Sequence, residues 1–266
     1  MSDQTIKTMT QSIIDGYRLK KDDAFVQDML TMPLAALQEG AGALQRHFCG
    51  NHVDFCTIIN ARSGRCGENC KYCAQAACHH TSCEEYDFLD EKTIMETAKM
   101  DQDAGANRFA MVTSGRALTG KDFDKALSIY KAMKKDLTID LCASHGILSE
   151  DQLRRLFASG VTSYHHNIET SRRFFPHICT SHTFDDRIRT IKAAQRAGFC
   201  VCSGGIIGMG ETWQDRIDMA FTLQELGIES IPINALMAIP GTGMEGRPSL
   251  PAEDILRTIA LFCFIN

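Results

Sequence analysis

RFAMVTSGRALTGKDFDKALSIYKAMKKDLTIDLCAS, residues 108–144, contains one complete structural unit. An apolar, β-rich run (Arg108–Thr113) leads into a short polar loop. The periodicity then changes to that of an amphipathic helix over Asp122–Lys134, and a second β-rich run follows at Thr138–Ala143. A strand, a covering helix and a second strand in this order make a parallel pair, because the helix must carry the chain back across the sheet.

The same unit recurs outward in both directions. Strands are expected at Asp54–Asn60, Ser163–Ile168, Phe199–Gly204 and Ser230–Leu236, and helices at Glu91–Ala104, Glu150–Ser159, Phe184–Ala197, Trp213–Leu226 and Ala252–Phe264. Capping-box patterns open three of these helices: Ser149 with Gln152, Thr183 with Asp186 and Thr212 with Asp215. Gly105, Gly160, Gly198 and Gly227 mark helix ends just before the next strand. Residues 1–50 carry apolar positions at helical spacing (Phe25, Met29, Leu30, Leu34, Leu37, Leu44) and form an N-terminal helical cap, leaving 51–266 as the main domain.

Strict alternation allows an open doubly wound sheet or a β/α barrel. The first loop has no G-x-G-x-x-G opening its helix. Polar residues follow five of the six strands, at Cys66–Cys73, Ser114–Gly115, Ser144–His145, Asn167–Thr170 and Gly208–Glu211. A ring of such loops suits the C-terminal rim of a barrel better than one crevice. The expected fold is therefore α/β, a TIM-type β/α barrel with about six units and an N-terminal helical extension. A full barrel typically takes ~250 residues, so a partial barrel or a truncated chain is expected, and the abrupt apolar ending LFCFIN favours truncation.

Composition narrows the function. The chain has 266 residues, 44% hydrophobic and 23% charged, which fits a packed core. A net charge of -5 argues against general nucleic-acid binding. No run approaches the roughly 18 apolar residues of a membrane helix, and the N-terminus lacks the basic-then-apolar order of a signal peptide. A cytoplasmic location is expected. There the 12 cysteines serve as metal ligands, nucleophiles or small buried hydrophobes rather than as disulfides.

Cys66, Cys70 and Cys73 in RCGENCKYCAQ are spaced C-x3-C-x2-C. From composition alone such a triplet arises by accident in roughly 2% of chains like this one. Cys thiolates hold iron–sulfur clusters, usually four per [4Fe–4S] group. Three neighbouring thiolates leave one iron open to an exogenous ligand. Zinc is the rival, with Cys78, His79, His80 and Cys83 near enough in sequence to complete a closed site.

The triplet, with Tyr72 before its last cysteine and placed after the first strand, resembles the radical S-adenosylmethionine (AdoMet, SAM) superfamily. The runs RSGRC (62–66), KYCAQ (71–75), HNIETS (166–171), VCSGGIIGMGET (201–212) and IPIN (231–234) together resemble its biotin synthase family, over about residues 40–266. That resemblance implies a sulfurtransferase that inserts sulfur into dethiobiotin through a 5′-deoxyadenosyl radical. It implies that Cys66, Cys70 and Cys73 hold a [4Fe–4S] cluster whose open iron takes the AdoMet amino and carboxylate groups. Asn167 and Glu169 match AdoMet-binding positions, with Glu one methylene longer than the usual Asp. Arg187 matches an arginine near the AdoMet carboxylate, and Gly204, Gly205 and Ile206 lie along the adenosyl group. Asn167 and Asn234 match residues that contact the substrate ring. A flavodoxin or ferredoxin as reductant, iron–sulfur assembly machinery and a homodimer follow by the same resemblance.

The chain departs from the family at the sulfur source. The usual donor is a [2Fe–2S] cluster on three cysteines and an arginine. Cys142 and Cys202 match two of these cysteines, but Ala110 stands at the third, and the arginine lies on an eighth strand beyond the six units found here. The expectation is an auxiliary iron–sulfur cluster, [2Fe–2S] or a larger variant, on Cys142, Cys202 and Cys179. Other radical AdoMet enzymes of the same scaffold, of the maturase or methylornithine synthase type, and a catalytically inert iron–sulfur or zinc protein are the alternatives.

Overall fold

Neighbouring residues of a strand face opposite sides of a sheet. Here Ile59, Ala61, Phe109, Met111, Leu141, Ala143, Tyr164 and Val201 are all buried, toward the helices. The residues between them face the other way, into the barrel. The computed structural model describes residues 2–266. Three helices come first, α1 (Ser2–Ile14), α2 (Ala24–Asp28) and α3 (Leu34–Cys49). Then follow β1 (Cys56–Arg62), α4 (Glu91–Asp103), β2 (Arg108–Thr113), α5 (Gly120–Asp136), β3 (Asp140–Ser144), α6 (Glu150–Ala158), β4 (Ser163–His165), α7 (Phe175–Ile178) and α8 (Phe184–Ala197). The chain continues through β5 (Cys200–Cys202), β6 (Gly205–Ile207), α9 (Trp213–Glu225), β7 (Ile233–Ala235) and α10 (Ala252–Ile265).

The strands β1 to β5 pair in sequence order, all parallel, and β6 pairs parallel with β7. Parallel bridges from Glu169 to Gly205 and from Cys202 to Ser230 join the two sheets. The strand expected over Phe199–Gly204 is β5 alone, and a further short strand, β6, follows just beyond that run after a break at Ser203–Gly204. The wall is the partial β/α barrel of the sequence reading, with β1 and β7 at its two edges. The three capping boxes are present, each with the Ser or Thr hydroxyl accepting the N3 amide and the N3 side chain accepting the N-cap amide. Such a cap is worth about 1 kcal/mol.

The N-terminal helices pack through α3 onto α10, which also packs on α9. Phe25 meets Phe264 edge to face at 5.4 Å. The buried Arg257 donates to the carbonyls of Met29 (2.8 Å) and Met32 (2.7 Å), tying α10 to the turn after α2.

Candidate active site

The loop after β1 is held by its own backbone. Cys66 N–H donates to Gln75 O (3.0 Å), Ala77 N–H to Cys66 O (2.8 Å) and Cys73 N–H to Cys70 O (3.0 Å). Lys71 N–H donates to Ile178 O (2.9 Å), which fastens the loop to α7. Cys66, Cys70 and Cys73 line a cavity of ≈ 270 Å³ at the C-terminal ends of the strands, together with Tyr72, Asn167, Glu169 and Arg187. Burial holds the Cys73 thiol above its usual range, so loading a metal here releases protons.

The spacing of the thiols bears on what fits. One tetrahedral zinc with ~2.3 Å bonds to sulfur draws its thiolates to within about 4 Å of one another. Among the described residues only Cys70, Cys179 and His182 bring donor atoms within 4.8 Å of one another. The triplet itself does not, and neither do Cys78, His79, His80 and Cys83. Three separated thiols of one loop facing one cavity suit a polynuclear cluster, where each thiolate takes a different iron.

Opposite the loop lies a buried polar network. Arg187, in the first turn of α8, donates from Nη1 to Asn167 O (2.8 Å) and Glu169 Oε1 (3.3 Å), and from Nε to His182 Nε2 (3.1 Å). The other ring nitrogen of His182 meets the Glu68 carboxylate. Glu169 has φ 70°, one of two non-glycine residues on the left-handed side among the described residues. This conformation costs roughly 1–2 kcal/mol for a side chain of its kind, and positions of this sort cluster at functional sites. The reversal lets the Glu169 carbonyl accept Ile206 N–H (2.9 Å) while its carboxylate turns to Arg187.

A second cavity adjoins the first and shares Tyr72, Asn167 and Glu169 with it. Ile206, Asn234 and Met237 complete its wall. Asn167 Nδ2 donates to Glu169 Oε2 (3.4 Å) and its Oδ1 accepts Gly204 N–H (2.9 Å), while Asn234 Nδ2 donates to Gly205 O (3.4 Å). The two cavities place the cysteine triplet and Asn234 on either side of one partition.

The glycines of 204–210 differ in their reasons. A Cβ on Gly204 would lie 1.9 Å from Pro232 O, and one on Gly205 would lie 2.3 Å from Glu169 O. Their close approach is to the neighbouring strands, and it brings Ile206 to the cavity edge. Gly208 and Gly210 have φ 95° and 109°, and their N–H groups donate to the Glu211 carboxylate at 2.8 and 3.1 Å. Glu211 also pairs with the buried Arg216 at 2.9 Å, and that guanidinium stacks over Trp213 at 4.4 Å. The second half of the glycine string is a structural knot.

Cys142 and Cys202 face the barrel interior from β3 and β5. Burial, then the charges of Cys56 and Cys202, push the Cys142 thiol up to about 12. Cys179 is not with them, which corrects the expected trio. It lies beside the triplet, where Cys70 donates to its sulfur at 3.7 Å and His182 Nδ1 is 3.4 Å away. The reason is topological. The link from β4 to α8 folds α7 down onto the cysteine loop, which carries Cys179 to the rim. Sequence reasoning also passed over Glu68, His165 and His182 as members of the cavity wall. The pair His165-His166 at a strand end was the available signal.

Residues 61–223 match the Radical SAM superfamily. A biotin synthase of Clostridium beijerinckii is 53% identical over 261 residues, covering 98% of this chain and 82% of that protein. One of Alkaliphilus metalliredigens matches equally, at 53% over 261 residues. Among solved structures, methylornithine synthase superposes with a TM-score of 0.82 over 97% of this chain and 77% of its own, at 20% identity. The hydrogenase maturase HydG superposes at 0.81 over 99% of this chain and 61% of its own, at 14% identity. At those identities the two share the fold alone.

A β/α barrel with a C-x3-C-x2-C loop at its C-terminal rim and this match defines a radical SAM enzyme, whose family works with a [4Fe–4S] cluster and AdoMet. Within that class the chain belongs to the biotin synthase family, the sulfurtransferases that convert dethiobiotin to biotin. No helix among the described residues is long and apolar enough to cross a membrane.

Proposed function

We propose that the two adjoining cavities divide the biotin synthase reaction between them, with the cluster and AdoMet in the first and dethiobiotin in the second. The observation that carries this is the shared partition of Tyr72, Asn167 and Glu169. Cys66, Cys70 and Cys73 hold the [4Fe–4S] cluster. When bound there, the cluster would supply the electron for reductive cleavage of AdoMet, the radical chemistry that the reaction needs. Arg187, already paired with Glu169 through Nη1, offers its other terminal nitrogen to the AdoMet carboxylate as a charge-assisted hydrogen bond. The Glu169 carboxylate accepts the ribose hydroxyls, and Gly204, Gly205 and Ile206 form the floor against the adenosyl group. Asn167 spans both cavities and contacts cofactor and substrate, and Asn234 donates to the substrate ring.

The sulfur atom comes from an auxiliary iron–sulfur cluster in the barrel interior held by Cys142 and Cys202, while Cys179 lies beside Cys70 instead. Twelve free thiols suit a reducing cytoplasm, with assembly by the iron–sulfur machinery and electrons from a flavodoxin or ferredoxin. Residues 1–50 act as a cap on the 51–266 barrel, and the enzyme works as a homodimer, which sedimentation reads directly. The central test is anaerobic reconstitution with iron and sulfide, then dithionite, AdoMet and dethiobiotin. Formation of 5′-deoxyadenosine and biotin is expected, with both lost in Cys66→Ala, Cys70→Ala and Cys73→Ala. Deoxyadenosine formation that survives loss of any one of these thiols would overturn the assignment.

A further inference from the structure

Ala110 removes one thiol from the barrel interior, yet three thiols still converge there. Cys56 on β1 lies opposite Arg108 on β2, and Arg108 lies opposite Asp140 on β3. Cys142 is two residues beyond Asp140. It lies opposite Ser163 on β4, which in turn lies opposite Cys200 on β5, and Cys202 is two residues beyond that. The step is therefore the same twice: two strands around, two residues up. In an eight-stranded barrel of shear 8 the register climbs one residue per strand, so this step joins residues at one height. Side chains of one height come from alternate strands, and β1, β3 and β5 are alternate strands. Cys56, Cys142 and Cys202 form one layer of the interior.

The surroundings fit a negatively charged group. Arg108 faces the same interior, and among the described residues its buried Nε has no hydrogen-bond partner. Burial raises the thiols of Cys56, Cys142 and Cys202, and the Arg108 charge pulls each of them back down. Cys202 also has Ser230 Oγ and His165 Nδ1 at 3.4 Å each. Cys56 is exposed at the interior face and so open to a ligand.

We infer that Cys56 is the third protein thiolate of the auxiliary cluster, with Cys142 and Cys202, in place of a thiol at Ala110. This rests on the proposed interior cluster. Moving the ligand from the second strand to the first changes which corner of the interior is anchored, while Arg108 balances the charge.

The test uses the full chain in which Cys66, Cys70 and Cys73 are all alanine, reconstituted anaerobically with ferrous iron and sulfide. That protein is expected to keep one cluster's worth of iron and acid-labile sulfide with its Mössbauer signature. Adding Cys56→Ser is expected to lower both at least fivefold, as Cys142→Ala does, whereas Cys179→Ala leaves them unchanged. Unchanged iron and spectrum in Cys56→Ser overturn the assignment and leave the interior cluster standing. No cluster in the triple-alanine protein overturns the interior cluster and this inference with it. A second measurement needs no substitution: iodoacetamide labelling of the unaltered chain before and after reconstitution. Protection of Cys56, with the exposed Cys49 still labelled, is expected, and equal labelling of Cys56 in both states overturns the inference.

Discussion

Replacing Arg187 with methionine removes the centre of the buried network while keeping most of the side-chain volume. The guanidinium, with only 10% of the side chain exposed, donates to Asn167 O, Glu169 and His182. Methionine leaves the 10% exposed Glu169 carboxylate without its cation, and removing one partner of a buried pair costs about 3–5 kcal/mol. For a chain of this size each kcal/mol moves Tm by about 2–4 °C, so the apo-protein should melt roughly 6–20 °C lower. Scanning calorimetry of the anaerobic apo-protein measures this. In the reconstituted protein the loss of a charged hydrogen bond to the AdoMet carboxylate, about 1.5–3 kcal/mol, weakens AdoMet binding roughly 10–150-fold by equilibrium dialysis. Arg187→Lys keeps the charge without the planar fork and should fall between wild type and Arg187→Met in both measurements. A methionine variant that melts within about 2 °C of wild type would refute the stability argument. One that binds AdoMet within about twofold of wild type would refute the placement of the cofactor.

His145 is buried and neutral between Thr113 and Tyr130, and burial, then the Arg62 charge, lowers it to about 3. Its folded value lies below the unfolded one near 6.5, so the unfolded chain binds the extra proton. Stability from this group is complete above pH ~6.5 and falls by up to about 1.4 kcal/mol per pH unit as pH drops toward 3. Urea midpoints of apo-protein at several pH values should show a shallower acid slope in His145→Gln, and an unchanged slope would count against the assignment. Gly204→Ala should fail to give folded protein, because its Cβ would meet the Pro232 carbonyl at 1.9 Å; a soluble, cooperatively melting variant contradicts the strand contact. Asn234→Ala should raise KM for dethiobiotin about tenfold, the value of one hydrogen bond near 1.4 kcal/mol. Deoxyadenosine formation without substrate should stay unchanged, and a KM that does not move removes Asn234 from the substrate wall.

The fold was readable where local rules and packing agree. Helices α4 to α6 and α8 to α10 begin or end within about two residues of the positions read from periodicity, because a cap or an apolar stripe marks each one. Strand β2 and helix α8 match the sequence reading at both ends. The extra strand β6 beyond the Phe199–Gly204 run was hidden, since it depends on Gly204 and Gly205 passing against Pro232 and Glu169, residues distant in sequence. The cysteine triplet was legible because its spacing is local. Cys179 was misplaced because the path of α7 is decided by long-range packing, including the Lys71 to Ile178 hydrogen bond. The partnership of Cys56 was illegible for a similar reason: strand register and barrel tilt are cooperative properties of the sheet, absent from any window of sequence.

The left-handed backbone at Glu169 persists because its carboxylate is needed where it points. Glycine or asparagine would relieve roughly 1–2 kcal/mol of torsion there, yet either would leave the buried Arg187 guanidinium without its carboxylate, a loss of about 3–5 kcal/mol. Survivors of a heat challenge are therefore expected to keep glutamate at this codon, so that selection for sturdiness and selection for turnover pull the same way.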